Sequence, residues 1–188
     1  MERAGVENLC FYSSVAVYGE HEGAPIPTEE TEPRPTNTYG RSKWAAEQVY
    51  RAWEDKAEGR RLLVLRPAVV FGPRNYANVY RMIAAIDKRR FFPVGAGTNV
   101  KSMVSVHNLL AALVQLWSSE RTVTDGYEVY NYVDVPDLTS AQVMDIVYRE
   151  LGRRRPPVSL PVQPALALTK PLDRIAKTTG VDLPVTSE

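Results

Sequence analysis

The chain is 188 residues long, 44% hydrophobic and 24% charged, with a net charge of +1 at neutral pH. This length predicts one domain, or one with a small appendage, and the composition is ordinary for a globular chain. The balanced charge argues against nucleic acid or an anionic membrane as a partner, and a single cysteine, Cys10, excludes an intrachain disulfide.

The first predicted element is a buried strand over Leu9 to Ser13, with Cys10 as a core thiol rather than a nucleophile. Gly19 to Pro35 reads as a loop punctuated by Pro25, Pro27, Pro33 and Pro35. A helix is expected from about Tyr39 to Lys56, capped by Asn37 or Thr38. Its buried face is predicted to carry Ala45, Val49 and Ala52, flanked by Trp44 and Trp53. Leu62 to Leu65 is apolar at consecutive positions, the pattern of a parallel strand covered on both faces. Pro67, Gly72 and Pro73 then mark a loop.

Downstream, helices are expected over Val79 to Lys88, Asn108 to Trp117 and Ser140 to Leu151, the last stopped by Gly152. Phe91 to Val104 reads as a loop with short strands, and Tyr127 to Tyr132 as a strand. A proline-rich tail begins at Pro156, with a helical pattern from Ala165 to Ala176. The basic clusters Arg60-Arg61, Lys88 to Arg90 and Arg153 to Arg155 read as solvated helix ends and loops. No apolar run approaches the ~18 residues that cross a membrane, and the polar start, Met1 to Asn8, lacks a signal-peptide core. A cytoplasmic location without a membrane partner is the expectation.

This order predicts an α/β fold. Three strands make a thin sheet against a mean of about five or six. The strand at Leu9 looks central rather than peripheral, which predicts that the chain begins partway through a domain.

The candidate chemistry lies in Tyr39-Gly40-Arg41-Ser42-Lys43 and, 25 positions before Tyr39, Ser14. Tyr39 and Lys43, four apart, share a helix face, and an ammonium beside a phenol favours the phenolate. Roughly 0.3 chance Tyr-x-x-x-Lys matches are expected in such a chain, so the spacing alone is weak. Ser14 adds weight, because it ends a strand, where open α/β sheets place ligands. No His or Cys pair has metal-ligand spacing. His107 is expected to pack or cap a helix, and no metal is predicted.

Ser13-Ser14-Val15-Ala16-Val17-Tyr18-Gly19, the Tyr39 to Lys43 motif and Leu65-Arg66-Pro67-Ala68-Val69-Val70-Phe71-Gly72-Pro73 together resemble the extended short-chain dehydrogenases/reductases. Within them, the resemblance is to the NAD-dependent nucleotide-sugar epimerases and dehydratases, over roughly Val6 to Leu151. It implies the C-terminal part of a Rossmann-like parallel sheet plus a small substrate-binding subdomain. Residues 1–75 would be the remnant of the Rossmann-like domain. Residues 76–188 would be mostly substrate-binding, with one further Rossmann strand near 127–132.

The resemblance also implies roles. Tyr39 would be the general base and acid, Ser14 would hold the reacting sugar hydroxyl, and Lys43 would hold the nicotinamide ribose and favour the phenolate. Arg66, Pro67 and Val69 would lie with Tyr39 and Lys43 beside NAD or NADP. Ser14, Asn78, Val79, Val94 and Lys101 would contact the nucleotide-sugar, and Phe91 to Val94 would pack on its base. A homodimer is left open.

Four departures from the family pattern bear on this reading. No G-x-x-G-x-x-G or G-x-G-x-x-G occurs, so the pyrophosphate turn is missing and a partial chain, inactive alone, is expected. Val15 and Ala16 stand where 4,6-dehydratases carry Asp-Glu. Eliminating water needs an acid and a base, so epimerase or keto-sugar reductase is favoured. Lys101-Ser102 replaces a frequent Arg-Asp pair, a point charge for a bidentate fork, and Asn108 a frequent aspartate. The resemblance fades after Leu151. The competing readings are a reductase of a non-sugar alcohol or ketone, and a non-catalytic binding or scaffold protein that kept the fold.

Overall fold

The computed structural model describes residues 5–19, 26–118, 126–157 and 159–161. The helical pattern expected over 165–176 lies outside them. The chain divides into two compact units, Met1–Gly72 with Ser102–Val135, and Pro73–Lys101 with Pro136–Glu188. Residues 102–135 thus fall in the first unit.

The first unit is built on a parallel sheet of three strands, β1 (Asn8–Tyr12), β2 (Arg61–Pro67) and β6 (Tyr127–Tyr132), ordered β1-β2-β6. Cys10 pairs with Leu63 and Tyr12 with Leu65, while Leu62 pairs with Tyr127 and Pro67 with Tyr132. Leu62 to Leu65 are all fully buried, as consecutive apolar residues require when both sheet faces are covered. Among the described residues β1 pairs only with β2, so its other edge is unpaired.

Helix α1 (Thr38–Glu54) connects β1 to β2. Asn37 starts it, its side chain accepting the Gly40 amide at 2.7 Å, which satisfies one of the orphan donors of the first turn. The buried face differs from the expectation. Ala45, Val49 and Ala52 are exposed, and the buried residues of α1 are Gly40, Glu47 and Trp53. A buried carboxylate defines that face, so apolar periodicity pointed to the wrong side.

After β2 a short strand, β3 (Val69–Phe71), pairs in parallel with β5 (Met103–Ser105). Both lay in stretches expected to be loop or only partly strand, and with three residues each they are too short for periodicity to register. Helix α3 (Val106–Ser118) follows β5 directly. Leu63, Leu65, Val104 and Leu109 form the core of this unit, with Cys10, Tyr12, Tyr130 and Tyr132 packed on it.

The second unit has its own core. Helices α2 (Asn78–Asp87) and α4 (Ser140–Glu150) bury Ile86, Met144, Val147 and Tyr148, with Met82, Ile83, Phe91 and Leu151 around them. A two-residue antiparallel pair, β4 (Val100–Lys101) with β7 (Leu138–Thr139), leads into α4. Thr139 and Gln142 form a reciprocal capping box there. Among the described residues no helix is long and apolar enough to cross a membrane.

Candidate active site

Strand β1 ends at Tyr12, and the chain then turns sharply through a 3-10 turn over Val15–Tyr18. Ser14 caps that turn, its Oγ accepting the Ala16 amide at 3.2 Å. A hydroxyl so used still has its proton to donate. Tyr39 stands in the first turn of α1 and is 55% exposed. The two are brought together by a glycine. A Cβ at Gly40 would run into the Ala16 carbonyl oxygen, so only glycine lets the start of α1 lie against the turn that Ser14 opens.

One helical turn beyond Tyr39, the Lys43 Nζ donates to the Tyr12 carbonyl at 2.9 Å. It lies 5.7 Å from the centroid of the Tyr39 ring and 5.2 Å from that of Phe11. The turn capped by Ser14, the Tyr39 ring at the start of α1 and the Lys43 ammonium are thereby set near the C-terminal end of a parallel strand. Such a set can accept a proton from an alcohol and return it.

Beneath them is a buried polar network. Glu47, two turns beyond Tyr39 on α1, and Arg66, near the end of β2, are 2% and 3% exposed. Arg66 Nε and Nη2 donate to Glu47 Oε1 at 3.1 Å and Oε2 at 2.6 Å. The Ser13 hydroxyl donates to Glu47 Oε1. Arg66 Nη1 donates to the Tyr18 hydroxyl at 2.7 Å, which donates in turn to Asn131 Oδ1 at 2.8 Å. Asn131 also holds the 26–36 segment, its amide donating to Glu29 Oε1 at 2.7 Å and its Nδ2 to the Pro27 carbonyl at 3.3 Å. Burial works against the guanidinium charge, but the hydrogen bonds and negative charge of Glu47 outweigh it and hold Arg66 above its ordinary range.

Of the residues singled out in the sequence, Ser14, Tyr39 and Lys43 thus come together. Arg66 is close behind them, with its guanidinium taken up by Glu47 and Tyr18. Pro67 is buried, and Val69 is half exposed at the start of β3. Asn78, Val79, Val94 and Lys101 belong to the second unit. Asn78 opens α2, Val94 bridges to Leu160, and Lys101 pairs with Leu138. His107 is exposed, with its amide donating to Ser105 Oγ at 3.3 Å. No group of three His, Cys, Asp or Glu able to hold a metal occurs among the described residues.

Sequence reasoning missed Glu47, Tyr18 and Asn131. Glu47 had a signal, since it follows Lys43 by four and Tyr39 by eight on one helix face. Tyr18 and Asn131 are 113 positions apart and had none. The donor set fits the nicotinamide-ribose end of a dinucleotide, because an ammonium has three protons and one of Lys43's goes to Tyr12. It does not extend to a pyrophosphate, for which the sequence has no glycine-rich turn.

The family described as "NAD dependent epimerase/dehydratase family" matches residues 1–144. The N-acetyl-alpha-D-glucosaminyl-diphospho-ditrans,octacis-undecaprenol 4-epimerase of Escherichia coli O157:H7 is 42% identical over 189 residues, covering 100% of this chain and 55% of that protein. The UDP-glucose 4-epimerase of Vibrio cholerae is 31% identical over 73% of this chain and 44% of its own. Among solved structures, MoeE5 in complex with UDP-glucuronic acid and NAD superposes with a TM-score of 0.69 at 27% identity, covering 81% of this chain and 51% of that one. The chain spans about half the length of the relatives it matches.

Proposed function

The chain belongs to the NAD-dependent epimerase/dehydratase family, and on that premise we propose that it carries the proton-handling half of a 4-epimerase site for a sugar linked through a diphosphate. The observation that carries this reading is the gathering of Ser14, Tyr39 and Lys43 at the end of β1. The 4-epimerase names of its relatives, together with apolar Val15 and Ala16, weigh against dehydration, which needs an acid and a base at that place.

Tyr39 takes the proton of the sugar 4-hydroxyl and later gives it back on the other face of the sugar. Ser14 hydrogen-bonds that hydroxyl and aligns it with the phenol. Lys43, anchored on the Tyr12 carbonyl beside the Tyr39 ring, offers its remaining protons to ribose hydroxyls. Pro67 and Val69 line the side where a nicotinamide would lie. When bound, a nicotinamide dinucleotide supplies reversible oxidation of the sugar carbon.

By resemblance to the family, Asn78, Val79, Val94 and Lys101 would contact the substrate, with Lys101 as a point charge. The carrier is a nucleoside or a polyprenol, as the two kinds of relative carry.

The test is Tyr39→Phe in the natively expressed protein, assayed with UDP-N-acetylglucosamine and with a polyprenyl diphosphate N-acetylglucosamine. Turnover on the better substrate is expected to fall by about 10²–10⁴-fold. Undiminished turnover overturns the assignment, and the preferred substrate identifies the carrier.

A further inference from the structure

Between Gly40 and Trp53, the only buried residue of α1 is a carboxylate, Glu47. Of its apolar neighbours, Val49 is 64% exposed and Ala45 and Ala52 are exposed too, while Trp44, Ala46 and Tyr50 are only half-buried. Tyr50 packs on Phe11 with ring centroids 4.8 Å apart, but the fully buried grip on the middle of α1 is directional. Arg66 closes a two-pronged bond on Glu47, and Ser13 adds a third.

Four groups of this network lie within one residue or one helical turn of a site group. Ser13 precedes Ser14, Glu47 follows Lys43 by one turn, Arg66 precedes Pro67, and Tyr18 closes the turn that Ser14 caps. Burying two charges is a poor way to gain stability alone, since their desolvation offsets much of their attraction. It is a good way to fix position, because a bidentate guanidinium–carboxylate pair tolerates little rotation or slip.

We infer that the Glu47–Arg66 pair is a positioning device that sets the placement of α1 against the ends of β1 and β2, and so the placement of the Tyr39 phenol. Neither residue touches the reacting atoms. Both act through Tyr39 and Lys43, and in its catalytic aspect the inference rests on the reading of Tyr39 given above. A displacement of about 1 Å at a reacting group can cost about 10²-fold in rate, which is the scale of effect expected when the pair is removed.

The experiment uses the natively expressed protein, labelled with 3-fluorotyrosine, and 19F NMR, with the Tyr39 resonance assigned by its loss in Tyr39→Phe. Two variants are compared with the parent. Glu47→Leu/Arg66→Met removes both charges together, and Glu47→Asp keeps the charges but shortens the arm by one methylene. In whichever of the two folds to a parent-like melting curve, the Tyr39 resonance is expected to move by more than its linewidth. The kcat is expected to fall by about 10²-fold with KM little changed.

A Tyr39 resonance left in place in a folded variant overturns the inference, whatever happens to turnover. A moved resonance with parental kcat overturns it as well. If Tyr39→Phe itself proves fully active, the functional reading fails, and the resonance alone still decides whether the pair positions the helix.

Discussion

Cys10 and Tyr39 both belong to the first unit, yet only Tyr39 is presented for chemistry. Cys10 packs against the core formed by Leu63, Leu65, Val104 and Leu109. Burial pushes its thiol up to about 11 from 9.0, so at pH 8 its thiolate fraction is about 100-fold below that of the unfolded chain. Iodoacetamide is expected to label the native chain correspondingly slowly at that pH and the urea-unfolded chain readily. Equal rates would contradict the buried placement. The same raised value fixes a sign for stability. The neutral thiol is the form the fold favours, so its contribution is fully present below about 9 and is lost as pH rises toward 11. Tyr39, by contrast, is more than half exposed, and its ring is within reach of one ammonium. The three candidate residues were legible in the sequence because each needs only local geometry: a strand end, a helix start and a four-residue spacing.

Helix α1 shows where that legibility stops. Its start, its cap at Asn37 and its extent follow from local signals, and the structure gives Thr38–Glu54. Its orientation does not, because the buried face is marked by Glu47, whose partner Arg66 lies 19 positions away. A pattern search that treats charge as exposed turns Val49 inward, whereas it is exposed. A second contact that orients the helix is Gly40 against Ala16. Gly40→Ala would force the added methyl into the Ala16 carbonyl, with the Pro35 Cβ at 3.1 Å on the other side. Backbone oxygen cannot swing away as a side chain can, so the variant is expected to lose about 1–3 kcal/mol in urea unfolding. A variant as stable as the parent would show that α1 does not pack so closely on the turn. The short strands β3 and β7 escaped the sequence, and β4 and β5 were read only as unplaced short strands in a loop, for a different reason: two or three residues carry no period.

At the scale of the molecule, two units each bury a separate core. The sequence made the alternation of strands and helices plain, and with it the parallel sheet. It could not show that 102–135 rejoin the first unit, since that return depends on β3 pairing with β5 and β2 with β6. The outer edge of β1 is unpaired among the described residues, and the sequence holds no glycine-rich turn for a pyrophosphate. The 188 residues alone are therefore expected to bind NAD poorly. Isothermal titration should show no saturation at micromolar NAD, and a micromolar Kd for these residues alone would prove the prediction wrong.

The bond from Lys43 to the Tyr12 carbonyl ties two kinds of error together. Tyr12 is the last residue of β1 and is set opposite Leu65 in the ladder. Were β1 to slip by one position, every side chain on it would change face, and a different carbonyl would meet the lysine. The ammonium thus reads the alignment of the strand. A chain folded in the wrong register would also be one whose lysine had lost its anchor, so misfolding of the sheet and silencing of the site would be a single event.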